Sequence, residues 1–376
     1  MPIVAAAMLA ALYAVPSPLP AAKPGTVISS HPFTGGSALS NAAANTFVLY
    51  HTVSPTGRDV AVSGVISIPK GVPPPGGWPI LSWAHGTTGN ATQCAPSRFS
   101  KPDVEQRFLN DWVGAGYAVA QTDYEGEGTP GVHPYFANAG GAHDTIDIVR
   151  AARALDSHIG DRWIVMGHSE GGAVALFAAA LAPAWAPDLH LLGAVSYAPG
   201  SDITDTLGYI MTSRQPMRTL PFGIMMVAGI ASTDPQVDLS RILSPRGLAL
   251  LPQLQTTCID DLMDSPAWNA VPPASLFVPN APIDRLLHDF AKNEPLNLPI
   301  HVPLLLEQGT ADQIVSPVTT SALRSNLCAS GVQVEMDTLN GANHGTVMPR
   351  SWDRVKPWAA QLFAGTGPQA KNCEHA

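Results

Sequence analysis

Residues 162–181 read Arg162-Trp163-Ile164-Val165-Met166-Gly167-His168-Ser169-Glu170-Gly171-Gly172-Ala173-Val174-Ala175-Leu176-Phe177-Ala178-Ala179-Ala180-Leu181, and this stretch decides the fold. Residues 162–166 are an apolar run of strand length. Residues 170–181 are small and apolar, a helix suited to close packing on a sheet. Between them stands Gly-x-Ser-x-Gly. Joining a strand directly to a helix needs a tight turn, and Gly167 and Gly171 remove side chains that would collide with the sheet. The turn lifts the Ser169 hydroxyl above the carboxyl end of the strand. It also aims free backbone N–H groups of a helix start at the same point, ready to meet an oxyanion.

Outward from that turn, strands and helices alternate. Strands are predicted over residues 46–53, 59–68, 79–84, 117–121, 191–197, 302–306 and 332–336. Helices are predicted over 104–115, 143–155, 318–327 and 352–363. Such alternation means a mostly parallel sheet with helices on both faces. Together with the Ser169 turn it reads as an α/β-hydrolase fold. The alternation stops between residues 201 and 300, where prolines are frequent. The predicted organisation is therefore a leader at 1–22, an arm or linker at 23–45, a catalytic domain at 46–200 and 301–376, and an inserted, largely helical cap at 201–300.

This fold orders its triad Ser, then acid, then His. Residues 302–316 (VPLLLEQGTADQIVS) give a buried strand, then a loop holding Asp312. Residues 332–346 give a second strand, then a glycine-rich loop holding His344. In this reading Ser169 is the nucleophile, His344 the base, and Asp312 the acid that fixes the imidazole. Asp337 and Asp123 are weaker acid candidates. His85-Gly86-Thr87-Thr88-Gly89 follows the third of these strands and supplies the second oxyanion N–H, from Thr87 or Thr88; Glu170 supplies the first. His85 is expected to hold its loop, and His168 to pack or line the pocket. Tyr124-Glu125-Gly126-Glu127-Gly128 reads as a turn after a strand, since it lacks the lysine and spacing of a phosphate loop.

Composition narrows the chemistry. The chain carries 20 basic and 29 acidic residues, a net charge of −9, with 45% hydrophobic and 13% charged residues. Its basic residues are scattered, which speaks against a nucleic-acid partner. No metal-binding spacing occurs, and neither metal nor cofactor is expected. The apolar run from Ile3 to Val15 has the length of a secretory h-region and is too short to span a bilayer. No basic residue precedes Lys23, a departure from an ordinary leader. Four cysteines, Cys94, Cys258, Cys328 and Cys373, suggest two disulfides in an exported protein, with three connectivities open.

Several of these motifs occur together in one known family. The chain resembles the secretory lipases in Cys94-Ala95-Pro96-Ser97 after the oxyanion loop, in Asp123-Tyr124-Glu125-Gly126, in the Ser169 turn, and in the late Gly309-Thr310-Ala311-Asp312 and Asn343-His344-Gly345 loops. The likeness runs from about residue 40 to the C-terminus. It implies hydrolysis of acylglycerols or simpler esters, a triad of Ser169, Asp312 and His344, and the pairs Cys94–Cys258 and Cys328–Cys373. It matches the oxyanion position to Thr88, where a yeast member has aspartate, so Thr87 and Thr88 both remain open.

The expected function is a secreted lipase or carboxylesterase acting on a small ester or lipid. An acyltransferase or peptidase with the same triad is the alternative, and a non-catalytic binding protein on this scaffold a remote one. Within the insertion, the apolar run containing Phe222, Met225 and Met226 is expected to form the acyl pocket; the competing reading makes it the insertion's own core.

Overall fold

The computed structural model describes residues 12–99, 103–367 and 373. The strands are β1 (Val27–Pro32), β2 (Ala44–Val53), β3 (Asp59–Ile68), β4 (Trp78–Ala84), β5 (Ala118–Thr122), β6 (Ile159–His168), β7 (His190–Tyr197), β8 (Leu304–Gly309) and β9 (Val334–Leu339). They form one sheet in the order β1-β2-β3-β5-β4-β6-β7-β8-β9. β1, β2 and β3 pair antiparallel, as do β3 and β5, while β5, β4 and β6 through β9 run parallel. The chain winds outward in both directions from β4, so a crevice opens at the carboxyl ends of β4 and β6.

Parallel central strands are covered on both faces and need no polar side. Along β6, Trp163 and Val165 enter one core, and Ile164 and Met166 enter the other. The first core is covered by α2 (Asn138–Leu155) and α3 (Glu170–Trp185), the second by α1 (Asp103–Gly114) and α10 (Trp352–Ala364). The remaining helix of this layer is α9 (Pro317–Ala329), whose Leu323 and Leu327 join the first core.

Between β7 and β8 the chain forms α4 (Ile203–Thr212), α5 (Leu220–Thr233), α6 (Pro245–Leu254), α7 (Ile259–Asp264) and α8 (Asp284–Asn293), with shorter turns between them. These helices share a core of their own that also takes in Tyr135, Phe136 and Ala137. Two prolines here open helices: Pro221 and Pro245 sit in the first turns of α5 and α6, where the missing N–H is not needed. The disulfides are Cys94–Cys258 and Cys328–Cys373, each with Cα atoms 5.5 Å apart.

Two sequence expectations need amendment. Residues 27–32 lie inside the predicted arm but pair with β2 as the edge strand, from Val27↔Tyr50 to Pro32↔Thr46. An edge strand tolerates serines and a terminal proline, which masked its pattern. Helix α2 begins at Asn138, five residues before the predicted start at 143. Its first turn holds Gly140 and Gly141, which look like a loop. A Cβ there would lie 2.6 Å from Pro55 and 2.9 Å from Val174, so close packing requires them. Of the expected leader, residues 1–11 lie outside the described residues. Tyr13 is buried against Phe47, ring centroids 4.7 Å apart, and hydrogen-bonds Ser97 Oγ at 2.7 Å. Among the described residues no helix is long and apolar enough to cross a membrane.

Candidate active site

Ser169 caps α3 with φ 59° and ψ −118°, a left-handed backbone that a side-chain-bearing residue rarely adopts. The surroundings hold it there. Its N–H donates to the Tyr197 carbonyl at 2.9 Å, and its own carbonyl accepts from Gly172 and Gly200 at 2.9 Å each. A Cβ on Gly167 would stand 1.9 Å from the Gly171 oxygen, and one on Gly171 would stand 2.0 Å from the Ala84 oxygen. Only glycine fits where the turn crosses the end of β4.

Asp312 lies three residues beyond β8 and His344 five beyond β9. His344 Nδ1 is 2.8 Å from Asp312 Oδ2. The other carboxylate oxygen, Oδ1, accepts the N–H groups of Ile314 and Val315 at 2.9 and 3.0 Å. Burial pushes the Asp312 carboxyl up, but the bonds from His344, Ile314 and Val315 outweigh it and hold its pKa below the ordinary value. Asp312 is therefore a carboxylate, and its partner nitrogen carries the proton. Neither alternative acid faces His344 in this way. Asp123 is engaged by Ser63 Oγ at 2.6 Å and by the N–H of Ser97 at 2.9 Å. Asp337 is half-exposed beside Arg354.

His168 joins the Ser169 turn to the His344 loop. Its Nε2–H donates to the His344 carbonyl at 2.8 Å, and the two rings lie 4.4 Å apart. Burial, then the neighbouring His344, lowers its pKa to about 3. It stays neutral and is no competing base.

The loop at residues 85–89 runs directly against Ser169: a Cβ on Gly86 would lie 3.5 Å from the serine Cβ. His85 Nδ1–H donates to the Gly86 carbonyl at 2.7 Å, which fits the expected loop-holding role. Thr87 and Thr88 part company here. The Thr87 hydroxyl meets Tyr135 Oη at 2.7 Å, and Tyr135 lines the same cavity as Ser169. The Thr88 hydroxyl donates to the buried Glu127 at 2.8 Å, and its carbonyl accepts the N–H of Ile259 at 2.9 Å. The side chain of Glu170 is also buried and sits 2.8 Å from His133 Nε2. Tyr135 and His133 carried no motif, and Glu127 lay in a segment read only as a turn. Only their burial beside the loop marks them.

A cavity of about 280 Å³ opens above Ser169 between the insertion and the loop after β8. Phe222 and Met226 line it, together with Tyr135, Ile210 and Ile314. Met225 does not: it is fully buried in the core of the insertion, on a face of α5 turned from the cavity. Of the three expected pocket residues, Met225 is corrected to core. The helical period separates it from Met226, its neighbour in sequence. Among the described residues, no group of three or more His, Cys, Asp or Glu side chains is placed to hold a metal ion.

Comparison with known proteins places this geometry in context. The model of the secretory lipase family matches residues 97–370. A probable inactive lipase of Mycobacterium tuberculosis is 24% identical over 379 residues, covering 92% of this chain and 79% of that protein. Lipase A of Candida antarctica in its closed state superposes with a TM-score of 0.79 at 20% identity, over 95% of this chain and 86% of that one. The rice cell wall degrading esterase LipA of Xanthomonas oryzae superposes with a TM-score of 0.74 at 21% identity, over 92% and 100%.

Proposed function

The chain belongs to the secretory lipase family and has the α/β-hydrolase fold, and on that premise we propose that it is a serine carboxylic-ester hydrolase, a lipase or carboxylesterase, with Ser169, His344 and Asp312 as its triad. One observation carries the reading: the strained Ser169 turn opens into an apolar cavity, and the adjacent His168 bonds the loop of His344, whose imidazole is hydrogen-bonded to Asp312 at 2.8 Å.

The chemistry follows from the roles of these groups. Asp312 holds Nδ1–H, so Nε2 keeps its lone pair and accepts the Ser169 proton as Oγ attacks the ester carbonyl. The tetrahedral oxyanion is met by backbone N–H groups of Glu170 and of the Thr87–Thr88 loop. Imidazolium then protonates the departing alcohol, leaving an acyl-enzyme. Water repeats the sequence and frees the acid. The acyl chain lies against Phe222 and Met226, where each buried methylene contributes about 0.8 kcal/mol. The two disulfides suit an oxidising, extracytoplasmic setting.

The similarity to a probable inactive lipase gives a second reading, a scaffold that binds without turnover. Against it stands the hydrogen-bonded acid–base pair, which a binding protein has no need to keep. Turnover of p-nitrophenyl esters of rising chain length, with fluorophosphonate labelling of Ser169, tests the proposal. A protein that neither hydrolyses these esters nor takes the label would falsify it.

A further inference from the structure

Resting on that reading, we propose that the loop from Tyr124 to Tyr135 is the positioning element of the oxyanion hole, with Glu127 as its central positioning residue. The loop leaves β5 and passes beneath both sides of the hole. From it, Tyr124 Oη donates to the His85 carbonyl at 3.1 Å. The Tyr124 ring lies 4.3 Å from that of His85 and stacks on His133 at 5.7 Å and 12°. Glu127 Oε2 accepts the Thr88 hydroxyl at 2.8 Å, Tyr135 Oη meets the Thr87 hydroxyl at 2.7 Å, and His133 Nε2 meets Glu170 at 2.8 Å. Each segment that offers an oxyanion N–H is thus held by this one loop.

The protons decide whether such a base can serve. His133 Nδ1 is 3.0 Å from the Glu125 carbonyl, which can only accept, so Nδ1 carries hydrogen. The short contact from Nε2 to Glu170 then holds one proton on either side. Both forms, imidazolium with carboxylate and imidazole with acid, have zero net charge. A carboxylate facing a lone pair would be repelled. Glu127 is fully buried; burial, then the adjacent Glu170, pushes its carboxyl well above the ordinary range. Glu127, shifted toward its protonated form, beside a Glu170–His133 pair of zero net charge limits the negative charge under the site where an oxyanion forms, as electrostatic preorganisation requires.

The loop is also tightly folded. Gly126 and Gly128 take φ 81° and 76°, and a Cβ on them would lie 2.4 Å from His133 N and 2.2 Å from Ser63 Oγ. A buried carboxyl is a costly way to fill space alone. Its bond to Thr88 gives it a purpose that a leucine of similar size lacks.

Three variants of the full-length protein test this: Glu127→Ala, Glu127→Leu and Glu127→Gln, each measured for kcat and KM on p-nitrophenyl butyrate and for thermal unfolding. Glu127→Leu keeps the volume and removes the acceptor. We expect kcat to fall roughly 10- to 100-fold in the Ala and Leu variants with KM within about 2-fold, since a misplaced oxyanion donor acts in the transition state. Glu127→Gln is neutral, isosteric and still accepts from Thr88, so it retains kcat within about 3-fold. An active wild type beside a Leu variant of unchanged kcat overturns this inference alone, and so does a Gln variant as impaired as Leu. A wild type without ester turnover overturns the proposed function and this inference with it.

Discussion

At the carboxyl edge of the sheet, an added methyl group on Gly167 or Gly171 would strike a carbonyl oxygen at about the length of a hydrogen bond's H···O contact, 1.9 and 2.0 Å. In the helical insertion, Ile224, Met225, Val227 and Ile230 are equally buried, yet they meet one another through apolar side chains. The first region is fixed by backbone contacts and directed polar bonds, which have no slack. The second is fixed by volume, and volume can be redistributed among flexible side chains. This difference suits the two tasks of the proposed function, since a reacting carbonyl has one productive position whereas an acyl chain has many.

Breaking the rigid region should have the larger effect. Ser169→Ala should lower turnover by roughly four orders of magnitude or more and abolish fluorophosphonate labelling. Persistent labelling in that variant would assign the nucleophile elsewhere. His344→Ala should match it, while Asp312→Asn should lose about 10⁴-fold through the wrong imidazole tautomer. A fully active Asp312→Asn beside an inactive Asp123→Asn or Asp337→Asn would move the acid. Gly171→Ala leaves every catalytic group in place but overpacks the turn against β4. A loss of about 1–3 kcal/mol or more in urea unfolding is expected, with activity falling in parallel.

The insertion sharpens the contrast. Met225→Ala should cost about 2–5 kcal/mol by opening a cavity in its core, and leave the ester chain-length profile as it was. Met226→Trp should shorten the preferred acyl chain while short esters still turn over. If the two variants exchanged effects, the cavity lining would be wrong. The Cys94–Cys258 bond joins the regions, because it packs on Gly89 while the neighbouring Ile259 holds the Thr88 carbonyl. Replacing both cysteines by serine should cost about 2–4 kcal/mol in unfolding free energy. The smallest expected effect is that of EDTA, which should leave ester hydrolysis unchanged.

Legibility in the sequence followed the same division. Strands β3, β4, β6 and β7 were readable within three residues at each end because central strands are continuous apolar runs bounded by turns. The positions of Ser169, Asp312 and His344 were readable because each follows such a strand in a short glycine-bearing loop. Edge strand β1 was not, since its pairing depends on β2 and not on its own residues.

By itself, then, the sequence determined the alternation that builds the sheet, the turn that exposes Ser169 and the order in which the loops bearing Asp312 and His344 follow. These are local consequences of periodicity and of glycine's freedom, and they need no distant partner. Only the tertiary structure decided which face of α5 meets the cavity, so that Met226 lines it and Met225 does not. It alone turned the Thr88 hydroxyl back toward Glu127 while Thr87 meets Tyr135 beside the cavity. It alone brought Glu127, His133 and Glu170 into one buried group. Burial of polar side chains depends on what other segments surround them, and residues separated by up to 43 positions, such as 127 and 170, acquire that common environment only when the chain closes around them.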